Sequence, residues 1–95
     1  TKMRGFLTLV NDIYNVENLR TEAKLSAESK LKLMRLQVRV VYDAGRERDV
    51  KDFVEQAKLL EYLKDVGDSR EEMIRFAHYM EALVAYHRYL GGRDN

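Results

Sequence analysis

No proline interrupts this chain and its five glycines are scattered, so almost nothing in it breaks a helix once one has begun. Proline removes a helical hydrogen bond and clashes with the preceding turn, and glycine costs backbone entropy. With both scarce, punctuation falls at Gly45, Gly67 and Gly91, and the apolar residues between them recur every three or four positions, the period of a helix. Four helices are predicted. The first, about Lys2 to Leu19, carries Met3, Phe6, Leu7, Val10, Ile13 and Tyr14 at helical spacing, weakened by Gly5. Asn15 to Leu25 reads as a loop or frayed end, where Asn15, Asn18 and Thr21 offer local turn bonds.

Ser26 is the expected cap of the second helix. Its stripe of Leu31, Met34, Val38, Val41 and Tyr42 is expected to be buried, and its end is placed near Ala44, with Gly45 taking the left-handed conformation. Val38, Val40 and Val41 would suit a strand, but the flanking period stays helical and no partner strand exists elsewhere. A third helix runs from Asp49 as N-cap to Gly67, with Val50, Phe53, Val54, Ala57, Leu60 and Leu63 inward. Ser69 and Glu72 form a capping-box pair opening the fourth, whose stripe is Met73, Phe76, Ala77, Met80, Leu83, Val84, His87 and Leu90 before a Gly91-Gly92 stop. Amphipathic helices with short connections must bury their stripes against one another, so the expected fold is all-α, a compact antiparallel bundle of four helices. Ninety-five residues make one domain, residues 1–95. The start at Thr1 implies that upstream residues are missing, and these could add a fifth helix.

The chain has no cysteine, which rules out disulfides, thiolate metal sites and cysteine nucleophiles and fits a reducing, cytoplasmic setting. No apolar run approaches the roughly 18 to 20 residues that span a bilayer, and TKMRGF lacks a signal-peptide core, so no membrane partner is expected. Net charge is uninformative, since 17 basic residues face 16 acidic ones. Distribution says more. Lys30, Lys32, Arg35 and Arg39 lie between Ser29 and Tyr42 without an acid, whereas Asp52 to Asp68 holds five acids against Lys58 and Lys64.

Catalytic patterns are missing. His78 and His87 stand nine residues apart, on roughly opposite sides of one helix at about 100° per residue, and so cannot ligate a metal together. His87 reads as a core histidine and His78 as a solvent-facing one. Glu71 with Glu72, and Glu47 with Asp49, already have a purpose in complementing a helix N-terminus. There is no phosphate-binding glycine loop and no nucleophile elbow. No enzyme, metal or cofactor is expected.

The basic constellation is more informative. Lys32, Arg35, Arg39 and Arg46 recur at intervals of three, four and seven along one helix side, and Arg48 and Lys51 continue the run beyond Gly45, which could bend the chain so that the last three present together. A phosphate backbone could track such a face. By spacing alone, a solvated face paired with neighbouring acids fits at least as well. Tyr79, Tyr86 and Tyr89 could stack on bases, though their spacing favours packing at the edge of a helix interface.

Three blocks resemble the small subunit of the type III-A CRISPR Csm effector complex: RFAHYMEALVAYHRYLGGRD from Arg75 to Asp94, LQVRVVYDAGRERDVKDFVEQA from Leu36 to Ala57, and the opening MRGFLTLVNDIYN. Leu19 to Ser26 matches little, and the family's usual preceding segment is absent. The resemblance implies a non-nuclease helical bundle that stacks in several copies beside guide-RNA-bearing backbone subunits and helps hold target RNA. RNA cleavage in such complexes belongs to the backbone subunit, and DNA cleavage with cyclic-oligonucleotide synthesis to the large subunit. Implied partners are therefore target RNA in the guide-RNA-containing complex, the backbone and large subunits, and copies of the chain itself. Carried onto this sequence, the resemblance points first to Arg46, then Lys51 and Arg39, with Arg75 and Arg88 secondary; Lys32 and Arg35 rest on spacing. The rival readings are a helical protein-protein interaction module without RNA contact and a small RNA-processing enzyme using His78 or His87.

Overall fold

Five helices carry the chain. In the computed structural model, which describes residues 2–90, α1 spans Lys2–Glu17, α2 Ala27–Arg46, α3 Arg48–Gln56, α4 Leu59–Val66 and α5 Arg70–Tyr89. Among the described residues there is no strand, and one isolated bridge pairs Lys24 with Ser69. The expected all-α fold stands, with one more helix than the spacing suggested. The Gly91-Gly92 stop lies outside the described residues.

The extra helix comes from a break inside the predicted third one. At about 100° per residue, Leu59, Leu63 and Val66 fall on the side opposite Val50 and Val54, so one straight helix could not bury both groups. The chain resolves this at Lys58, whose φ of 53° puts it in the left-handed region, and all five residues are then buried. Phe53, Ala57 and Leu60, expected inside, are half-buried against the core.

α1 packs on α2 and α5, α4 on α5, and α3 bridges α2 and α4. The core gathers Phe6, Val10 and Ile13 of α1, Leu33, Leu36 and Val40 of α2, and Met73, Phe76, Ala77, Met80 and Val84 of α5, as the spacing of α1 and α5 predicts. At the end of α5, Leu90 departs from that expectation and is exposed.

α2 departs most. Its buried residues are Ser29, Leu33, Leu36, Val40 and Asp43, and the stripe expected inside, Leu31, Met34, Val38, Val41 and Tyr42, faces out. The rotation follows from what holds the N-terminus of α2. Ser26 caps it, its Oγ accepting from the Ser29 amide at 3.1 Å while donating to Glu17 Oε2 at 2.9 Å. Ser29 Oγ donates to the same carboxylate oxygen at 2.6 Å, and Arg20 Nη1 donates to Oε1 at 2.6 Å. Glu17 is fully buried, and burying a lone carboxylate would be costly. Burial pushes its pKa up, but the hydrogen bonds from Ser29, Arg20 and Ser26 together outweigh that and hold it below the usual carboxylate value.

The connection from Asn18 to Ser26 is likewise tied down. Leu25 is buried and donates its amide to Asp68 O, and Arg70 donates its amide to Ala23 O. The Arg70 guanidinium reaches back to the carbonyls of Glu22 and Glu17, each at 2.7 Å. Ser69 caps α5 by accepting from the Glu72 amide, but the capping box is only half made, because the Ser69 amide donates to Val66 O and the Glu72 carboxylate pairs with Arg75.

Gly45, expected to end α2, lies inside it, and the break comes at Glu47 with φ −127° and ψ 123°. Asp49, the expected cap, sits in the first turn of α3. Gly67 does hold a positive φ, 55° with ψ −117°, and a Cβ at either glycine would meet nothing within 4 Å. Backbone alone therefore decides both substitutions. Gly45→Ala should raise stability by about 0.5–1 kcal/mol and Gly67→Ala lower it by about 1–3 kcal/mol, opposite shifts readable in urea midpoints.

Glu17 predicts an acid transition. With its folded pKa depressed below 4.5, its stabilisation is fully present above about pH 4.5 and is lost as pH falls through the folded value. Glu17→Gln should cost about 2–4 kcal/mol at neutral pH and flatten the fall in melting temperature towards about pH 3. Thermal melts followed by circular dichroism across that range would check both effects.

Candidate nucleic-acid interface

Lys32, Arg35, Arg39 and Arg46 line one edge of α2, between its buried face and its outward apolar stripe. The run spans roughly 21 Å at 1.5 Å per residue. Glu47 alone separates α2 from α3, so Arg48 follows at the first position of α3 and Lys51 one turn on. The structure thus places Arg46, Arg48 and Lys51 about a single-residue junction, without the glycine bend expected at Gly45. Arg46 sits in the last turn of α2, where its charge complements the helix dipole, whereas Arg48 opens a helix, where a cation is disfavoured and an anion welcome.

Their surroundings divide these cations. Arg39 Nε lies 3.0 Å from Asp43 Oδ2; Asp43 is buried and the Arg39 side chain is half exposed. The pair is structural, because it sets an opposite charge beside a buried carboxylate. Lys32 pairs loosely with Glu28 at 3.9 Å. The Arg46 guanidinium lies over the Tyr42 ring, 5.5 Å from its centroid, a contact that orders an exposed side chain. Among the described residues no acid lies within 4 Å of Arg35, Arg48 or Lys51, and all three are exposed.

The secondary residues on α5 lie apart. Arg75, near its start, is held by Glu72 at 2.8 Å and Glu71 at 3.0 Å. Arg88 is exposed in the last turn, roughly 20 Å further along the helix. The two do not form one patch.

The remaining candidates have structural surroundings. Tyr79 donates to Ala57 O at 3.0 Å and packs on Tyr62, which is the expected packing role. Tyr86 and Tyr89 differ from expectation: they are exposed, with rings stacked 6.3 Å apart. His78, exposed, leans on the Tyr14 ring, while His87 meets Phe53 edge-on and is half-buried, so the two histidines face different elements. Among the described residues no helix is long and apolar enough to cross a membrane, and no group of three His, Asp or Glu could hold a metal ion.

Arg39→Ala should cost about 1 kcal/mol by removing one partner of the buried Asp43 carboxylate, the half-exposed arginine keeping the loss below that of a fully buried pair. Arg35→Ala should change stability by less than about 0.5 kcal/mol. Denaturant unfolding of the two variants distinguishes them.

A family model for Csm2 of type III-A matches residues 1–93. The CRISPR system Cms protein Csm2 of Mycobacterium tuberculosis H37Rv is 44% identical over 94 residues, covering 99% of this chain and 76% of the relative. The protein of that name from Streptococcus thermophilus is 42% identical over 94 residues, covering 99% and 74%. That of Enterococcus italicus is 30% identical over 92 residues, covering 94% and 65%.

Proposed function

The chain belongs to the type III-A Csm2 family and is thus a small subunit of a type III-A CRISPR complex, and from that premise we propose that it holds target RNA through sequence-blind contacts at the α2–α3 junction. It assembles in several copies along the guide-RNA-containing complex, beside the backbone and large Csm subunits, in the cytoplasm. Its work is positioning, and it contributes no catalytic group. Guide-target pairing supplies sequence specificity in RNA-guided systems, which leaves the subunit only phosphate or sugar contacts to make.

The observation that carries this reading is the set of exposed cations left without an acid. Among the described residues Arg35, Arg48 and Lys51 have none within 4 Å, and exposed Arg46 lies over the Tyr42 ring. A solvated face neutralised by its neighbours, the plainer expectation from spacing, describes Lys32 and Arg39 but not these four. Arg39 therefore moves from RNA contact to support of the helix that presents the others. Arg75, occupied by two carboxylates, is a weak contributor.

A triple variant Arg46→Ala, Arg48→Ala, Lys51→Ala tests the reading without disturbing Asp43. Labelled single-stranded RNA titrated against the reconstituted complex should bind at least about tenfold more weakly, with a salt slope flatter by roughly 2 for three lost phosphate contacts. Unchanged affinity and slope would leave the interaction module without RNA contact as the better account. His78→Ala with His87→Ala should leave target-RNA cleavage by the complex undiminished.

A further inference from the structure

Tyr86, Tyr89 and Leu90 are large, exposed and gathered at the end of α5. Tyr86 is 62% exposed and Tyr89 83%. Standing three residues apart, they are neighbours on one side of the helix, and their rings lie nearly parallel, at 21°, with centroids 6.3 Å apart. Tyr79 shows what a packed tyrosine of this helix does: its hydroxyl donates to Ala57 O and its ring lies on Tyr62. Tyr86 and Tyr89 do neither. Among the described residues, the one ring that each meets is the other's. A stacked pair covers one face of each ring and turns the other face to solvent.

We infer that Tyr86 and Tyr89 form a stacking platform for unpaired nucleobases. Stacking of a base on an aromatic side chain needs an exposed ring face and no hydrogen-bond code, so it tolerates any sequence. The local charge selects a base over a phosphate. These residues end a helix, where the last carbonyls carry the negative end of the dipole, and His87 and Arg88 in the same turn offset it. An anion is disfavoured at such an end, whereas the flat face of a neutral base is not.

The platform is also within reach of the junction cations. His87 meets Phe53 of α3 with ring centroids 5.9 Å apart, so the end of α5 lies beside α3, whose start carries Arg48 and Lys51. The rise along α3 from Arg48 to Phe53 is about 8 Å, and packed helices stand about 8–10 Å apart, which puts the tyrosines roughly 15–20 Å from the junction. A few nucleotides of an extended strand cover that distance. Phosphates on a basic surface with bases on aromatic rings is how proteins hold single strands without reading them. A duplex keeps its base faces in its own stack and offers none to the tyrosines. The inference rests on the RNA reading and adds to it a contact of different chemistry, together with the requirement that the nucleotides held at α5 be unpaired.

The chain, titrated at low salt with a labelled single-stranded RNA of mixed sequence and with an abasic strand of the same length, should bind the first at least about tenfold more tightly. Tyr86→Ala with Tyr89→Ala, at positions exposed enough to leave the circular dichroism intact, should remove that preference without changing the salt slope. Tyr86→Phe with Tyr89→Phe should keep it. The triple variant at Arg46, Arg48 and Lys51 should do the reverse, flattening the slope and sparing the preference, so failure of the phosphate contacts and failure of the platform are told apart. In the reconstituted complex, target RNA carrying iodouridine should photo-cross-link to the peptide that holds Tyr86 and Tyr89. Equal affinity for intact and abasic strands, no binding of either included, or a preference indifferent to the alanine pair overturns the proposal. Absence of that cross-link, with the tyrosines shielded by another subunit instead, would make the end of α5 a protein contact and overturn it equally.

Discussion

The carboxylate of Glu17 is the point on which the arrangement of helices depends. It ends α1, where a negative charge is poorly placed against the helix dipole, yet it is fully buried. Three side chains make that tolerable: Arg20 supplies the opposite charge, and the hydroxyls of Ser26 and Ser29 donate from the first turn of α2. The negative charge thus sits at the positive end of the next helix. Because Ser29 must face Glu17, the rotation of α2 about its own axis is fixed at its first turn. Arg70 reaches the same corner from the start of α5, so α1, α2 and α5 are joined by polar contacts at one end of the bundle.

A second buried acid holds the same rotation at the far end of α2. Asp43 shares the inward face with Ser29, fourteen residues away, and is matched by Arg39 one turn before it. Leu33, Leu36 and Val40 fill the space between. The core face of α2 is therefore polar at both ends and apolar only in the middle, while the opposite side carries five large apolar residues. Ranked by hydrophobicity alone, the wrong side wins. Ser29 and Asp43 can be inside only because specific partners on and before α2 satisfy them, and a linear pattern does not register partners.

That contrast explains what was legible. α1 and α5 each have one apolar stripe, so their buried residues follow from the period, and Ser26 and Ser69 announce their helices by the usual capping chemistry. α2 has two stripes at the same spacing and is ambiguous for that reason. The break at Lys58 was open to detection, since Leu59, Leu63 and Val66 are out of phase with Val50 and Val54. No glycine or proline marks it, because a lysine takes the left-handed turn, so a search keyed to breakers passes over it. At the basic run, spacing located the cations on one edge but could not tell which were already spent. Arg39 and Arg75 have the same residue type and helical setting as Arg35, and differ only in the carboxylates beside them.

The division of labour on α2 follows from these constraints. A helix exposed on only one side would have to choose between binding a phosphate backbone and binding a protein, since apolar contact and solvated charge interfere when mixed. Here the inward face is held by two buried acids, which frees the remaining circumference for two adjoining surfaces, a basic edge and an apolar ridge. Their border is Arg35 and Tyr42, where a guanidinium and an aromatic ring can serve either partner. The junction cations lie past that border, Arg46 at the end of α2 and Arg48 and Lys51 in the first turn of α3. A basic edge and an apolar ridge are thus exposed side by side on one twenty-residue helix, because Glu17 and Asp43 keep its third side turned inward.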